Sequence, residues 1–383
     1  MAHLFKKPKD GNKGILVFTH KEMKYFFRPS KPLNRKRPLT FVPFVFDYFY
    51  TKKFKYPYFV KAFGALRKKY FIGVHFGWHH TEFPELEFAD FIMAGEGTVD
   101  FTPPKHILEI PFNSRNFISH RFDDLAYNQK FWDIICVARA ARFKNLDLLL
   151  KAIKRLNETT GKYHKALLII PPNKNENPKS FYTNIIEDYY NWFEEAERNN
   201  ITIMKLSKDL SLLGMPQNSL IHFYNASKVF TLFSEKEGES RVIAEALLCG
   251  LPVVVKADLE GGGRDFLNKE NAVYFDTFET AHIAFKEALE NYQTLKQGTT
   301  FLKEYLRDDY TIPRLKEYFT KLYQQHNQTF DGELINLDYL DRRLPGHTHS
   351  VPWSANRFTT ADIVSVKQFE IFEQYLKEQE NTL

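Results

Sequence analysis

Between residues 131 and 257, short apolar segments alternate with amphipathic ones, and this alternation constrains the fold more than any other feature of the sequence. Each apolar segment is bounded by charged or turn residues, which is typical of a buried strand. In the intervening segments the apolar residues fall on one helical face, as in 145–156. Strands that are apolar throughout and alternate with helices predict a parallel sheet covered on both faces. We therefore predict a Rossmann-like α/β domain.

The elements of this domain can be placed along the chain. The predicted strands are 131–139, 166–172, 201–206, 228–234 and 251–257, and the predicted helices are 145–156, 180–199, 219–227 and 240–249. No G-x-G-x-x-G fingerprint is present, so the domain is not expected to bind a dinucleotide.

The N-terminal part predicts a second, smaller α/β domain. Its predicted strands are 13–20, 70–78, 89–97 and 106–112, and residues 1–13 read as a mobile polar end. A chain of 383 residues is long enough for two domains. We predict an N-terminal domain over 1–125, a C-terminal domain over 126–325, and a tail over 326–383. The tail contains an amphipathic helix at 359–380 that is expected to pack back on the body of the protein.

The number of cysteines and the length of the apolar segments indicate the cellular compartment of the protein. Cys136 and Cys249 are the only cysteines and lie far apart, which excludes a disulfide scaffold and a cysteine zinc site. Reduced thiols fit a cytoplasmic location. The sequence has no apolar run of transmembrane length, and its first residues lack the apolar core of a signal peptide. We expect a soluble, cytoplasmic protein.

Positive charge is concentrated near the N-terminus. Residues 1–70 carry 18 Lys and Arg against three acidic residues, whereas the net charge of the whole chain is only +6. This asymmetry indicates either an anionic partner, such as phospholipid head groups, an acidic glycan or nucleic acid, or a solvated basic face. Segment 41–59 alternates aromatic residues with lysines, which suits either peripheral contact with an anionic membrane or an aromatic core with a basic surface.

The segment 233–255 carries the clearest chemistry. A predicted strand ends at Ser234, a charged turn follows, and a helix begins near Ser240, which can cap it. The free N–H groups and positive dipole end of such a helix suit a diphosphate. Glu237 precedes the helix and Glu245 lies on it, about 7 Å further along the axis than Ser240. Because carboxylates accept well from paired sugar hydroxyls, this arrangement predicts a nucleotide-sugar site.

Several motifs occur around this segment in a fixed order. The spacing E-x7-E runs from Glu237 to Glu245 and is followed by CGLPVV. Upstream, CVARAARFKNLDLLLKAI (136–153) contains a basic pair, Arg139 and Lys144, in a G-R-x4-K-G-like pattern.

A glycine-rich turn at 261–275 and a strand and turn at 106–117 complete the set. Together the motifs resemble the retaining glycosyltransferases of family 4 across roughly residues 106–290. That resemblance implies the GT-B fold, in which two Rossmann-like domains face a cleft.

The resemblance also implies an activity. A sugar would move from a nucleotide-diphosphate donor, most simply UDP- or GDP-linked, to a glycan or lipid-linked sugar with retention of configuration. Arg139 and Lys144 would neutralise the leaving diphosphate, and Glu237 would bind the transferred hexose. No D-x-D motif is present, so no cofactor or metal is expected. The N-terminal domain would serve the acceptor and the C-terminal domain the donor.

The resemblance also implies contacts between the donor and residues close to Arg139, Lys144 and Glu237. Glu245 would bind the ribose, and backbone groups of Gly238, Glu239 and Ser240 would position the sugar and the distal phosphate. His75, at the C-terminal end of a predicted strand, is the candidate for contacting the acceptor or the sugar.

Two other functions remain open at this point. The basic N-terminal part allows an enzyme that glucosylates nucleic-acid bases, which must reach a flipped base, although nucleic acid is the less favoured partner. The family usually has Phe-Gly where Glu239 and Ser240 stand, and a glycine where Ala138 stands. These departures allow a non-catalytic binding protein on a decayed transferase scaffold.

Overall fold

The computed structural model describes residues 2–6, 8–9, 11–19, 67–76, 89–95, 104–171, 181–206 and 215–334. They belong to two compact units. One contains the chain up to Ser114 and from Ile312 onward, and the other is Arg115–Thr311. The domain boundaries expected after residues 125 and 325 stay a prediction. The two units are defined by contacts between residues, and this does not show which parts of the chain fold independently.

The first unit is built on a sheet with the strand order β1-β2-β3-β4-β5. Its strands are β1 (Ala2–Lys6), β2 (Gly14–Thr19), β3 (Tyr70–Phe76), β4 (Phe91–Ala94) and β5 (Leu108–Ile110). β1 is antiparallel to β2, and the other neighbours are parallel. β3 and β4 are buried along their whole length, as expected for covered parallel strands. The four strands predicted in this part of the sequence are confirmed.

β1 corrects the prediction of a mobile end over residues 1–13. Its backbone pairs with β2, with Ala2 opposite Phe18. The buried ammonium of Lys6 donates a hydrogen bond to Asp331, which fixes the end of the strand. The apolar residues of β1 are only Ala2, Leu4 and Phe5, and lysines follow directly, so the sequence of this segment indicates a polar end although its backbone can form ladder hydrogen bonds.

The second unit contains a parallel sheet with the order β13-β11-β9-β6-β7-β8. Its strands are β6 (Trp132–Val137), β7 (Ala166–Ile170), β8 (Ile201–Lys205), β9 (Ser227–Leu232), β11 (Val253–Lys256) and β13 (Ala272–Phe275). In chain order from β6 the arrangement is 3-2-1-4-5-6, the order of a doubly wound Rossmann sheet. The predicted α/β domain is therefore confirmed.

A two-stranded parallel pair lies outside this sheet: β10 (Lys236–Glu239) with β12 (Glu260–Gly262). β10 occupies the segment that the sequence predicted to be a charged turn, and the prediction was wrong in this respect. The sequence KEGE has no apolar residue, and its pairing depends on glycines in β12 that lie far away along the chain.

The helices of the second unit connect these strands. They are α1 (Leu146–Thr160), α2 (Phe181–Trp192), α3 (Glu195–Arg198), α4 (Gln217–Asn225), α5 (Arg241–Leu248), α6 (Ala281–Glu290), α7 (Tyr292–Gln297) and α8 (Lys303–Leu306). The apolar residues predicted to share one face of α1 are all buried. The single helix predicted over 180–199 is instead α2 and α3, because Glu194 and Glu197 form a capping box that starts a new helix.

Helix α9 (Asp308–Gln325) ends in the first unit and covers its sheet. The ring of Phe319 packs edge-on against Phe91 at 5.3 Å, and that of Tyr323 against Phe71 at 4.8 Å. Gly73 in β3 leaves room for the Phe91 ring, which a Cβ at this position would overlap. The aromatic face of α9 thus supplies the cover that this parallel sheet requires.

Some sequence predictions fall on residues that the structure does not describe. They include the aromatic and basic segment 41–59 and the C-terminal helix at 359–380. No helix among the described residues is long and apolar enough to span a bilayer.

Both cysteines lie in the core of the second unit, as predicted. Burial raises the pKa of the Cys136 thiol to about 12 and also raises the pKa of Cys249. We expect neither thiol to react with Ellman's reagent in the native protein at pH 8, and both to react after denaturation. Above pH 9.0 the thiols lose their protons in the unfolded protein but keep them in the folded protein. The free energy of unfolding therefore decreases as the pH rises above this value. Equal reactivity in native and denatured protein would contradict this burial.

Candidate functional site

The sheet of the second unit reverses its strand order between β6 and β9, which are neighbours in space but not in sequence. In a doubly wound sheet the connections from such strands leave toward opposite faces, and ligands bind beyond the carboxyl ends at this point. The segment after β6 contains Arg139 and Lys144, and the segment after β9 contains Ser234 and Glu237. The residues predicted from sequence therefore follow the two strands at which a ligand is expected.

Lys144 and Glu237 are in direct contact. Lys144 ends the 3₁₀ turn Arg142–Lys144, and its nearly buried ammonium donates a hydrogen bond to Oε1 of Glu237. The next residue, Asn145, has a left-handed backbone conformation, which Asn tolerates well. The side-chain amide of Asn145 donates a hydrogen bond of 3.0 Å to the backbone carbonyl of Phe233. Two contacts therefore tie the segment after β6 to the segment after β9.

Arg139 lies two residues beyond the end of β6, and its side chain is exposed. The structure thus gives the two predicted cations different environments. Lys144 is held inside the protein by a carboxylate, whereas Arg139 is accessible to solvent.

Helix α5 begins directly after β10, with Ser240 at the N-cap position. Ser240 thus occupies the position from which the sequence suggests it can cap the helix, but its side chain makes no capping hydrogen bond. Its hydroxyl is buried and has no hydrogen-bond partner among the described residues, and the same holds for Ser234. Buried hydroxyls without partners are uncommon and costly, and both of these can donate a hydrogen bond to a ligand. No sequence motif singles out Ser234.

The backbone around Gly238 is shaped by the glycines of β12. Glu237 lies opposite Gly261 in the parallel pair, and the register shifts before Glu239. Gly261 has φ +90°, and a Cβ at this position would overlap the carbonyl oxygen of Glu237. A Cβ on Gly262 would similarly overlap the carbonyl oxygen of Gly238. Only glycine allows β12 to approach β10 so closely.

Glu245 lies on α5 and is nearly buried. Nε of Arg241 is 3.7 Å from one of its carboxylate oxygens, and the hydroxyl of Tyr224 is 3.5 Å from the other. Burial, followed by the charge of Glu245, raises the pKa of Tyr224 well above its ordinary value, so this phenol stays a hydrogen-bond donor. Sequence reasoning missed Tyr224, which lies on α4 and reaches α5 only through the fold.

His75 belongs to the first unit and is not part of this cluster. It lies in β3, one residue before the end of the strand, as predicted, and its ring is buried. Its role toward an acceptor remains a prediction. Among the described residues, no three His, Cys, Asp or Glu side chains are grouped as a metal site.

The segment 119–299 matches the family model described as glycosyl transferases group 1. A comparison with curated proteins finds no match. Among solved structures, the chain is similar to HepE (Alr3699) of Anabaena in complex with UDP, with a TM-score of 0.51 and 14% identity over 69% of this chain and 76% of that one.

Two further structures show the same likeness. They are α,α-trehalose 6-phosphate synthase of Burkholderia multivorans (TM-score 0.52, 12% identity, 69% and 70% of the two chains) and the pneumococcal O-GlcNAc transferase GtfA in complex with UDP and GlcNAc (0.50, 14%, 68% and 54%). The chain thus spans about half the length of the pneumococcal protein. At such identities the likeness shows the fold, and it confirms the predicted α/β class of GT-B type.

Proposed function

We propose that the protein is a glycosyltransferase that moves a sugar from a nucleoside-diphosphate sugar to a glycan or lipid-linked sugar with retention of configuration. The match of 119–299 to the group 1 glycosyl transferases and the GT-B-type fold support glycosyl transfer. The single observation that carries the proposal is the cluster beyond β6 and β9. It combines a nearly buried cation, a carboxylate and two buried hydroxyls that have no partner in the described part of the chain, one of them at the N-cap position of α5.

In this proposal the diphosphate binds at the start of α5. The first N–H groups of a helix lack intrahelical acceptors, and together with the hydroxyls of Ser240 and Ser234 they can donate to phosphate oxygens. Negative charge develops on the diphosphate as the glycosidic bond breaks. The Lys144 ammonium is fixed before the donor arrives, so it can stabilise that charge without reorganising. Arg139 supplies the second cation from its exposed position.

The two carboxylates bind the two sugars of the donor. Glu237, held by Lys144, accepts hydrogen bonds from hydroxyls of the transferred hexose, and Glu245 accepts from the ribose. Backbone groups of Gly238, Glu239 and Ser240 place the hexose and the distal phosphate between them. UDP is the first nucleotide to test, since the Anabaena and pneumococcal proteins were both solved with it. GDP is the second.

The remaining parts of the proposal rest on the sequence. Two protein cations take the place of a divalent ion, so we expect transfer to continue in EDTA. His75 is assigned to the acceptor or the sugar, and the basic segment within 1–70 is assigned to an anionic acceptor or membrane surface. The protein is expected to act in the cytoplasm.

The experiment is a thermal-shift screen over UDP-, GDP- and ADP-sugars, followed by an assay of donor hydrolysis and transfer. A donor that binds only the folded state raises the melting temperature by mass action. We expect a UDP- or GDP-sugar to do so and to be consumed. Binding without turnover would instead indicate a non-catalytic relic of a transferase.

Arg139→Ala tests the exposed cation. We expect the rate of donor consumption to fall by about 10²-fold, because one stabilising partner of the leaving diphosphate is removed. The melting temperature without donor should change little, since the side chain is exposed. Arg142→Ala is the matched control. It removes the arginine that begins the 3₁₀ turn Arg142–Lys144, three residues after Arg139, and it should leave the rate unchanged. An unchanged rate in Arg139→Ala would remove this residue from the proposed site.

A further inference from the structure

Arg115 is the largest fully buried side chain in the described part of the protein. It lies within the strand-and-turn motif 106–117, which assigns it no role, and outside the matched segment 119–299. Its guanidinium forms an ion pair with the carboxylate of Asp265 and lies 5.1 Å from the centre of the Phe266 ring. Asp265 itself is only slightly exposed. A fully buried charge of this kind is expensive unless it is paired and hydrogen-bonded, and Asp265 provides both the opposite charge and the hydrogen-bond acceptor.

The ion pair holds the glycine segment 261–263 in place. The carboxylate oxygen of Asp265 that accepts from Arg115 also accepts from the backbone N–H of Gly263 at 3.0 Å. The guanidinium packs directly against Gly262, because a Cβ on that residue would lie 3.0 Å from Cζ and Nη1 of Arg115. Arg115 therefore supports two consecutive glycines. It contacts Gly262 directly, and it holds Gly263 through Asp265.

That glycine segment in turn supports the backbone of β10. Gly261 pairs with Glu237, and Gly262 lies against the carbonyl of Gly238. A shift of β12 would move the backbone that carries the Glu237 carboxylate. Gly263 also lies beside the start of α5, since a Cβ on it would be 3.2 Å from Cβ of Ser240. The contact of Asn145 with the carbonyl of Phe233 does not involve this glycine segment.

We propose that Arg115 is a positioning residue for the hexose half of the donor. Through Asp265 and the glycine segment it fixes the backbone at Glu237 and Gly238, and because Glu237 is assigned to the hexose, it thereby affects the contacts to the sugar more than those to the nucleoside diphosphate. This inference rests on the proposed function. Its distinguishing consequence is that loss of Arg115 weakens binding of a nucleotide sugar more than binding of the matching nucleotide.

The test measures dissociation constants of full-length protein by calorimetry for UDP, UDP-glucose, UDP-N-acetylglucosamine, GDP and GDP-mannose. We take the sugar nucleotide that the wild type binds best and divide its affinity by the affinity of the matching free nucleotide. This affinity ratio is then compared between the wild type and each variant. In Arg115→Lys, which keeps the charge but loses the planar fork, we expect this ratio to fall about tenfold, as for one lost sugar contact. The affinity for the free nucleotide should stay within about twofold.

Asp265→Asn is the second variant, and it keeps an acceptor for the N–H of Gly263 if Arg115→Lys fails to fold. Lys236→Met is the matched control. Lys236 and Glu260 join the same two strands through an exposed ion pair of 2.8 Å, and exposed pairs contribute little. We expect this control to leave the ratio unchanged.

The outcomes separate the two proposals. If the wild type binds no nucleotide or nucleotide sugar, the proposed function fails and this inference fails with it. If the wild type binds them but Arg115→Lys and Asp265→Asn weaken nucleotide and nucleotide sugar by the same factor, or Lys236→Met lowers the ratio equally, only the role of Arg115 is overturned.

Discussion

Lys144→Met is expected to lower the rate of sugar transfer by about 10³-fold, the largest effect of any single change in the proposed site. The variant removes the nearly buried cation of the proposed site, which Glu237 holds in place. Arg139 does not replace it, because its side chain is exposed at the end of β6 and lacks the buried position of Lys144. The measurement is the steady-state rate of donor consumption and product formation at saturating donor.

The same change has an effect on stability that can be separated from the effect on activity. Met at position 144 leaves the Glu237 carboxylate nearly buried without its cation, which costs on the order of 3–5 kcal/mol when an ion pair is fully buried. The double variant Lys144→Met/Glu237→Gln removes both charges and should recover much of this stability without recovering activity. Lys154→Met, which breaks another ion pair of the second unit, is the control and should leave the rate unchanged. A Lys144→Met enzyme with wild-type rate would refute the assigned role.

Gly261→Ala is expected to reduce both stability and donor binding. The left-handed backbone of Gly261 already costs an alanine about 1–3 kcal/mol, and the added methyl group overlaps the carbonyl oxygen of Glu237. β12 must then separate from β10, which moves the carboxylate that binds the hexose. We expect the melting temperature to fall and transfer to slow by about 10²-fold, since small misplacements in an active site have effects of this size.

Gly161→Ala is the matched control for this change. Gly161 ends α1 with φ +63° and has open space around its missing Cβ. It therefore reports the cost of left-handed backbone alone, without the overlap. We expect a smaller fall in melting temperature and normal transfer. Equal effects of the two alanines on transfer would show that the approach of β12 to β10 is irrelevant to the site.

Five of the six strands in the main sheet of the second unit could be predicted from the sequence because they are largely apolar, whereas β13 was not predicted. Alternation with amphipathic helices such as α1 then determines which strands are parallel and covered. β1 gave a weak signal because it is short and followed by lysines, and β10 gave none because the KEGE segment is polar and its pairing depends on backbone hydrogen bonds. The split between α2 and α3 was also missed, because a capping box formed by two glutamates lies inside a continuous helical pattern.

The sequence motifs indicated several residues of the candidate site, but not Ser234, Tyr224 or the contacts between side chains. Motif spacing singled out Lys144 and Glu237, yet no pattern indicates that two side chains 93 positions apart form an ion pair. Arg115 and Asp265 are 150 positions apart, and a lone arginine in a polar segment reads as a surface residue. Buried ion pairs are formed by the packing of distant segments, so they become visible only in the folded chain.

The most direct test of the central claim is a crystal structure of the protein with a bound nucleoside diphosphate, soaked or grown with UDP or GDP. We expect the two phosphates at the start of α5, with the Lys144 ammonium within about 3 Å of a phosphate oxygen and the hydroxyl of Ser240 as a further donor. A diphosphate bound elsewhere, or a Lys144 side chain directed away from it, would contradict the account.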